Sequence, residues 1–366
     1  MRWILVALAF ALIGCSDRTA APVIPEALDF GLNKTVFIGT TRAMNDAGEY
    51  GIGRAPSLQL LEAQVSIPPN RALGSVSDGF DKPKLDRDFA LATMNAFEGA
   101  AGFSDRLQSH VRVNSQGNRE VTIFVHGFNN SFSDAAFRMA QLAHDLEIPG
   151  SHVSYSWPSR GNPLGYEYDR DSALFARDGL AELLQAVRAA GQPDVIIVAH
   201  SMGSALVMET LRQLEIERPG WTGRNITGLI MISPDINVDL FRAQFARFQD
   251  PPERFIVIVS RKDAVLRVSS RLRGVDSQLG NISNAADIAD LPITVVDVSA
   301  FSDRRSGNHF VAGSSPALIQ LLRRSSDLDS EFLRGRSGLA VALPGQRRIL
   351  VNANTDDTAR TTGADR

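Results

Sequence analysis

One serine lies at a point where the sequence pattern changes from a strand to a helix. Ser201 follows the apolar run VIIVA and a histidine, and it precedes the helix-like stretch MGSAL. Small residues, Ala199 and Gly203, stand two positions away on either side. A sharp turn of this kind holds its central residue in a strained backbone conformation and leaves little room for bulky neighbours. The hydroxyl could therefore attack a carbonyl carbon, provided that a base removes its proton.

The pattern Ala-x-Ser-x-Gly between a strand and a helix resembles the nucleophile elbow of α/β-hydrolases, in which Gly usually stands first. The resemblance implies the chain order nucleophile, acid, base. Of the six histidines only His309 follows Ser201, in the loop SGNHF after the last strand-like run. We therefore predict that His309 is the general base. His200 is adjacent to the serine, but neighbouring residues on a tight turn point apart.

Two aspartates compete for the acid position. Asp263 follows the strand-like run 255–259, where α/β-hydrolases commonly carry the acid, and Asp235 follows the preceding run. The resemblance leaves both open, because some members of the superfamily use the earlier position. We favour Asp263, which would hold the tautomer of His309 and stabilise the imidazolium that forms during the reaction.

An oxyanion formed at a substrate carbonyl needs hydrogen-bond donors that are in place before the reaction starts. The backbone N–H of Met202, directly after the serine at a helix N-terminus, is the first candidate donor. The second is expected in the loop HGFNN after the run 121–125, which resembles the His-Gly-x oxyanion loop of hydrolases. That resemblance selects the N–H of Phe128. Serine chemistry of this kind requires neither a metal nor a cofactor, and we predict none.

Five motifs occur in order along the chain: FVHGFNNSFSDAAFR, YSWPSRG, AHSMGS, ISPDINVDLF and VSRKDAVL. Together they resemble a group of bacterial α/β-hydrolases of unknown function, the DUF900 group, over residues 33–322. The resemblance implies the α/β-hydrolase fold and a Ser-His-Asp site, but it implies no substrate. Trp157 in the second motif either lines a substrate pocket or packs in the core at a strand end, and we favour the core.

Hydrophobic periodicity indicates the elements that must position these residues. Eight apolar runs of strand length each end at a turn or loop signal. They cover residues 35–39, 64–67, 121–125, 153–156, 195–199, 226–232, 255–259 and 293–298. Helix-period stretches lie at 133–147, 172–190, 204–218 and 316–323. Continuous apolar strands that alternate with helices indicate an α/β fold with a mostly parallel central sheet and helices on both faces.

The composition is that of a globular protein. The chain has 366 residues, of which 44% are hydrophobic and 22% charged, and this argues against a disordered or fibrous protein. The net charge of −3 provides no general basic field, and we predict no nucleic-acid partner. A single cysteine excludes an intrachain disulfide and a metal site built from several thiolates.

The only cysteine ends a segment that resembles the lipobox of bacterial lipoproteins. In MRWILVALAFALIGC, Arg2 is followed by an apolar run, residues 3–13, and then by Gly14 and Cys15. That run is too short to span a bilayer, which takes about 20 residues, but it has the length of a signal-peptide core. The resemblance implies cleavage after residue 14 and a lipid on Cys15. The alternative is an ordinary secretory signal with an incidental cysteine.

A lipid anchor would place the protein in the bacterial cell envelope, on the periplasmic face of a membrane. By resemblance to the bacterial sorting pattern, Ser16 after the cysteine favours the outer membrane over the inner one, although Asp17 weakens that assignment.

These patterns divide the chain into four parts. The parts are the signal peptide at 1–14, the lipidated cysteine and a polar tether at 15–30, the hydrolase domain at 31–334, and a tail at 335–366. Within the domain, residues 41–110 are predicted as an N-terminal elaboration with one helix at 88–110. The tail contains few apolar side chains and is predicted to be disordered.

Two functions of different classes fit the sequence. The first is a serine hydrolase that cleaves a small-molecule carboxylic ester or related acyl substrate through an acyl-enzyme intermediate. The same groups would also serve a thioesterase or an acyltransferase. The second is a non-catalytic envelope interaction protein on a hydrolase scaffold, since fold alone does not determine function. A complete Ser, His and Asp set in the expected order favours the enzyme.

Overall fold

A ten-stranded mixed sheet forms the centre of the protein, as seen in a computed structural model. The structure describes residues 21–77, 79, 82–114, 118–273, 278–282, 285–301, 309–320 and 351–352. The strands are β1 (Leu32–Met44), β2 (Tyr50–Ile67), β3 (Ala90–Ala96), β4 (Glu120–Val125), β5 (Ser151–Ser156), β6 (Asp194–His200), β7 (Gly228–Ile232), β8 (Arg254–Val259), β9 (Thr294–Asp297) and β10 (Val351–Asn352). Their order across the sheet is β10-β9-β8-β7-β6-β4-β5-β1-β2-β3.

Seven neighbouring strands, from β9 across to β1, are parallel. Strand β4 lies among them, with Val125 level with Ala199 of β6 and with Tyr155 of β5. Nearly every side chain of β4 and β5 is buried, which explains their apolar character, whereas β8 alternates between buried and half-buried side chains. The predicted α/β fold with a mostly parallel sheet is confirmed. Because the strands are parallel, the loops that follow β4, β6 and β8 leave the sheet at the same edge.

Helices pack on both faces of the sheet. They are α1 (Gly99–Asn114), α2 (Phe132–Asp145), α3 (Tyr166–Phe175), α4 (Arg177–Ala189), α5 (Met202–Glu217), α6 (Trp221–Asn225), α7 (Val238–Phe245), α8 (Ala264–Arg273) and α9 (Val311–Ser314). One core cluster joins α1, α4, α5 and α7 to one face and includes Leu206. A second cluster joins α2 to the other face and includes Met139. Neighbouring residues of β4 alternate between the two, Ile123 in the first cluster and Phe124 in the second.

The N-terminal elaboration is an extension of the same sheet. Strand β2 pairs antiparallel with β1 and with β3. The predicted helix at 88–110 is wrong in its first part, because residues 90–96 form β3 and the helix begins at Gly99. Ala, Leu and Met favour helices in isolation, but the backbone hydrogen bonds to β2 hold this segment extended. The stretch 172–190 is likewise interrupted, since α3 ends at Phe175 and α4 begins at Arg177.

The first described residues are packed on the domain. Residues Pro25–Asp29 form a short 3₁₀ helix in which Ala27 is fully buried. The backbone N–H of Ala21 donates to the hydroxyl of Ser133 in the first turn of α2. Residues 21–30 of the predicted tether are therefore attached to the domain.

Two further predictions concern residues outside the described ones, wholly or in part. Residues 1–20, with the predicted signal and Cys15, are not among those described. Of the predicted tail 335–366, the structure describes only Val351–Asn352, which pairs antiparallel with β9. The outer edge of β9 offers the backbone groups with which these two residues pair. Within the described part of the chain, no helix is both long and apolar enough to cross a membrane.

Candidate active site

Ser201 lies on a sharp turn between β6 and α5. Its backbone angles are φ 52° and ψ −121°, a region that residues with a side chain rarely adopt. Backbone hydrogen bonds hold the turn, since the Ser201 N–H donates to the carbonyl of Ile232 at 3.0 Å and its carbonyl accepts from Asp235. The residue is 3% exposed. Backbone strain maintained by neighbouring structure is typical of a functional position.

Two glycines bring the loop after β4 directly against this turn. A Cβ at Gly203 would lie 2.3 Å from the carbonyl oxygen of His126 and 2.6 Å from that of Val125. A Cβ at Gly127 would lie 2.9 Å from Cβ of Ser201. The small residue that the sequence pattern requires at 203 is thus explained by the end of β4, which passes directly over the first turn of α5.

His309 joins the serine to a buried carboxylate. Its Nε2 lies 2.8 Å from Oγ of Ser201, and its Nδ1 lies 2.8 Å from Oδ2 of Asp263. Asp263 is fully buried, whereas 18% of the His309 side chain is exposed. An ionised carboxylate can only accept, so Nδ1 carries the proton and Nε2 is available to accept one from the serine. The arrangement can therefore move a proton from the hydroxyl to the imidazole.

The second oxygen of Asp263 is also engaged. Its Oδ1 accepts from the backbone N–H of Leu266, 3.0 Å away in the first turn of α8. The same side chain therefore caps a helix and orients His309, which fixes its position from both sides.

Asp235, the alternative acid, has other partners. Its carboxylate accepts from the Tyr166 hydroxyl at 2.8 Å and from the Ser269 hydroxyl at 3.0 Å. The structure therefore brings Asp263 to Nδ1 of His309 and ties Asp235 to α3 and α8.

The two predicted oxyanion donors flank the serine. Met202 is the first residue of α5, where backbone N–H groups have no partner within the helix and the helix dipole favours negative charge. Phe128 lies in the loop after β4, one residue from Gly127, which touches the serine turn. Neither N–H donates to an acceptor within the described part of the chain. Both are available to an oxygen of a substrate.

The buried side chains of His126 and Trp157 pack together beneath the loop that follows β4. Their rings are stacked with centroids 4.8 Å apart, and the indole N–H donates to the His126 carbonyl at 2.7 Å. Trp157 is fully buried and lies in the core. Burial and the nearby Arg42 guanidinium lower the pKa of His126 to about 3, so that the ring is neutral at ordinary pH.

Sequence reasoning missed two buried charged residues beneath the site. Arg42 at the end of β1 and Asp169 on α3 are both fully buried. Burial lowers the pKa of Arg42 to about 10 and raises that of Asp169. In the sequence, TTRAMN and YEYDRD look like exposed polar segments, and no spacing signal marks these two side chains as partners of the same loops.

Comparison with known proteins identifies the class. Residues 101–325 match the family described as an alpha/beta hydrolase of unknown function (DUF900). The match covers the greater part of the chain, and the chain belongs to this family. The expected α/β-hydrolase fold is thereby confirmed, in agreement with the parallel sheet and the turn at Ser201.

More distant similarities were also found. An uncharacterized protein of Nostoc sp. is 42% identical over 26% of this chain, and the match spans only about a third, 32%, of that relative. A predicted CIB-like hydrolase of Thermoplasma acidophilum is 20% identical, and the match covers 60% of this chain and 88% of that chain with a TM-score of 0.36. An α/β serine hydrolase without a lid of Xanthomonas campestris is 15% identical, with 84% of this chain and 97% of that chain covered and a TM-score of 0.33. An esterase of Thermogutta terrifontis is 12% identical, with 75% of this chain and 86% of that chain covered and a TM-score of 0.31.

Proposed function

We propose that this α/β-hydrolase cleaves carboxylic esters with Ser201, His309 and Asp263 as its catalytic triad. The proposal rests on one observation, the pair of 2.8 Å contacts that join the serine to the imidazole and the imidazole to the carboxylate. The strained turn at Ser201 supports the same assignment, as do the two N–H groups beside it, which donate to no acceptor among the described residues.

The first half of the reaction acylates the serine. Nε2 of His309 takes the proton from Oγ of Ser201 as the oxygen attacks the ester carbonyl carbon. The carbonyl oxygen becomes an anion, which accepts hydrogen bonds from the N–H groups of Met202 and Phe128. When the tetrahedral intermediate collapses, the bond to the alkoxy oxygen breaks. The leaving alcohol takes the proton from His309, and the acyl group stays on Ser201.

The second half releases the acid. His309 removes a proton from a water molecule, whose oxygen attacks the acyl carbonyl of Ser201, and the oxyanion forms again beside Met202 and Phe128. Collapse breaks the bond to Oγ, which receives the proton from His309. A carboxylic acid leaves, and the free serine is restored. Asp263 accepts the hydrogen bond from Nδ1 and stabilises the imidazolium in both halves.

We propose small, soluble esters as substrates. The rings of Phe128 and Tyr166 meet edge to face with centroids 5.4 Å apart, and Tyr166 is tied to Asp235, which sets an aromatic wall beside the donor at Phe128. The segment 267–290 is too polar to serve as an apolar lid for a lipid aggregate. In a series of p-nitrophenyl esters, acetate and butyrate should give the highest kcat/KM. A maximum at laurate or palmitate would contradict this.

A fluorophosphonate probe tests the proposed catalytic serine directly. We expect rapid labelling of the folded wild-type protein, no labelling of Ser201→Ala, and slow labelling of His309→Ala. Folded wild-type protein that resists the probe would instead favour a non-catalytic interaction protein on the same scaffold. Parallel assays with thioester substrates and with alcohols as acyl acceptors would detect thioesterase or acyltransferase chemistry at the same serine.

We propose further that the protein is anchored in the bacterial envelope through Cys15. Support comes from the sequence, in which a short apolar run ends at Gly14 and Cys15. Cells grown with radiolabelled palmitate should give a labelled wild-type protein in the outer-membrane fraction and an unlabelled Cys15→Ala variant. Ser16→Ala serves as the matched control and should keep its label. An unlabelled wild-type protein would mean that the cysteine is not acylated.

A further inference from the structure

The direction of the Phe128 N–H depends on the carbonyl of the residue before it. In a trans peptide the C=O of one residue and the N–H of the next lie in one plane and point in opposite directions. A group that holds the Gly127 carbonyl therefore also aims the N–H of Phe128. The partners of the Gly127 carbonyl oxygen therefore decide where this proposed oxyanion donor points.

The Asn130 side chain is such a partner. Its Nδ2 donates to the Gly127 carbonyl at 3.1 Å and to the Phe128 carbonyl at 2.8 Å. Nδ1 of His126 also lies 2.8 Å from the Gly127 carbonyl oxygen. The carbonyls of Gly127 and Phe128 thus point towards the Asn130 side chain. The N–H of Phe128, which is opposite the Gly127 carbonyl across the peptide bond, points away from that side chain.

Asn130 is in turn fixed through its own backbone. Its N–H donates to the hydroxyl of Ser159 at 3.1 Å, and its carbonyl accepts from Nη2 of Arg42 at 2.8 Å. Nη1 of the same arginine donates to the Ser159 carbonyl at 2.9 Å, and Nε donates to Ser156. One guanidinium therefore links the end of β1 to the loops that follow β4 and β5.

A buried carboxylate completes the arrangement. Asp169 accepts from the Ser159 hydroxyl at 2.5 Å, from the N–H of Arg160 at 2.6 Å and from the N–H of Asn129 at 3.2 Å. Arg42, Ser159 and Asp169 are all fully buried. Burying a guanidinium and a carboxylate costs desolvation energy that well-packed apolar side chains would not cost. A need for exact loop geometry would account for keeping them.

We propose that Asn130 is a positioning residue that aims the Phe128 N–H at the oxyanion, and that Arg42, Ser159 and Asp169 form the support that holds Asn130. This inference rests on the proposed function, because it assigns a role within the same site. Asn130 itself need not touch the substrate. Its effect is expected on the transition state, where the oxyanion develops, and not on the binding of the substrate.

The main test is Asn130→Asp, which keeps the shape of the side chain and removes both N–H donors. We expect kcat to fall by about 30- to 100-fold, since loss of a whole oxyanion donor costs about 10²- to 10³-fold, with KM changed less than about twofold. Binding of a phenylboronic acid, whose tetrahedral adduct places an oxygen at the oxyanion position, should weaken by the same factor as kcat/KM.

The matched control is Asn225→Asp. Asn225 also donates its Nδ2 to a backbone carbonyl, that of Trp221 at 2.7 Å, but it lies at the end of α6, outside the site. This variant should keep wild-type kcat and boronate affinity. The comparison separates a local effect on the donor from a general effect of replacing an amide by a carboxylate.

A second variant covers the case in which Asn130→Asp does not fold. Ser159→Ala removes only the hydroxyl between Asp169 and Asn130, and it should lower kcat by about tenfold with little change in KM. The double variant Asn130→Asp with Ser159→Ala should have the same kcat as Asn130→Asp alone. Both changes act on the same group, the peptide unit between Gly127 and Phe128, so their effects should not add.

The proposal is overturned if folded Asn130→Asp and Ser159→Ala keep kcat within twofold, if KM rises while kcat stays unchanged, or if boronate affinity does not follow kcat/KM. Failure of the proposed function would look different, since the wild-type protein would then resist the fluorophosphonate probe. A labelled wild type with unaffected variants therefore rejects only the role of Asn130.

Discussion

The two halves of the candidate site are held in place by different means. The nucleophile half, Ser201 with Gly127 and Gly203 around it, is fixed by backbone contacts and by space that admits no Cβ. The residues that contact the serine turn lie at the ends of β4 and β7. The backbone around the ends of β4 and β6 therefore determines where the serine and the Met202 N–H lie.

The base half, Asp263 with the segment 309–314, depends on side chains from other elements. Nε2 of His200 lies 3.3 Å from the His309 carbonyl, and the Arg138 guanidinium lies 4.8 Å above the ring of Phe310. Gln141 on α2 donates to the carbonyl of Gly313 at 3.1 Å. Substitutions at the two glycines of the nucleophile half should therefore lower stability first, and substitutions in the base half should lower kcat first.

The strongest test of the base half compares its two aspartates. Asp263→Asn should lower kcat for p-nitrophenyl acetate by about 10³- to 10⁴-fold, because the amide no longer stabilises the imidazolium of His309. Asp235→Asn, the matched control, should cost less than about tenfold, since Asp235 is bonded to Tyr166 and Ser269. The reverse order of the two effects would make Asp235 the acid.

The nucleophile half should respond to a single methyl group. Gly203→Ala places a Cβ within 2.3 Å of a backbone oxygen, and relief requires β4 or α5 to move. We expect a loss of about 3 kcal/mol in the free energy of unfolding, measured by urea denaturation. Gly228→Ala, where the nearest atoms are at 3.5 Å, should change it by less than about 0.5 kcal/mol. Equal effects at the two glycines would contradict the steric account.

The buried imidazoles make stability depend on pH. Burial lowers the pKa of His126 to about 3 and that of His152 to about 4, from an ordinary value of 6.5. The unfolded chain takes up protons on both residues below pH 6.5 and the folded protein does not. Stability should therefore fall between pH 7 and pH 5, by up to about 1.4 kcal/mol per pH unit for each histidine.

Urea unfolding at pH 7, 6 and 5 measures this slope. His152→Gln removes one imidazole far from the serine and should reduce the slope by the contribution of one proton. Much of the slope that remains would belong to His126 and to His200, because burial lowers the pKa of the His200 imidazole well below its ordinary value as well. An unchanged slope in the variant would mean that His152 takes up a proton in the folded protein.

The smallest expected effect concerns the contact between Arg138 and Phe310, the residue after His309. Arg138→Leu removes the guanidinium over Phe310 and should lower kcat by about tenfold through a small displacement of His309. Arg212→Leu, on the surface of α5, loses only an ion pair with Glu209 and should keep wild-type kcat. An Arg138 variant with normal kcat would show that the remaining contacts position His309 without it.

The local sequence specifies most of the nucleophile half. The strands that precede His126 and Ser201 are continuous apolar runs, and the small residues around Ser201 mark the turn. These features are visible within a few consecutive residues, so a single sequence is enough to find them. The contact between Gly203 and the end of β4 is the tertiary reason for one of them.

The remaining features depend on contacts between distant segments. The choice between Asp263 and Asp235 is decided by which carboxylate reaches Nδ1 of His309, and sequence position alone leaves both open. The roles of Arg42 and Asp169 are invisible for the same reason, since their partners lie on loops about 90 to 120 and 10 to 40 positions away. The sequence of β3 predicts a helix because its residues favour a helix in isolation, and only the pairing with β2 holds them extended.

The docked N-terminal segment limits how far an acylated molecule could extend from its membrane. From residue 15 to residue 21 an extended chain covers about 22 Å at most. Ala21 is bonded to the first turn of α2, which directly follows the loop that carries Phe128. Under the proposed attachment the enzyme would work within a thin layer above the lipid headgroups. Its substrates would have to diffuse into that layer or be released there.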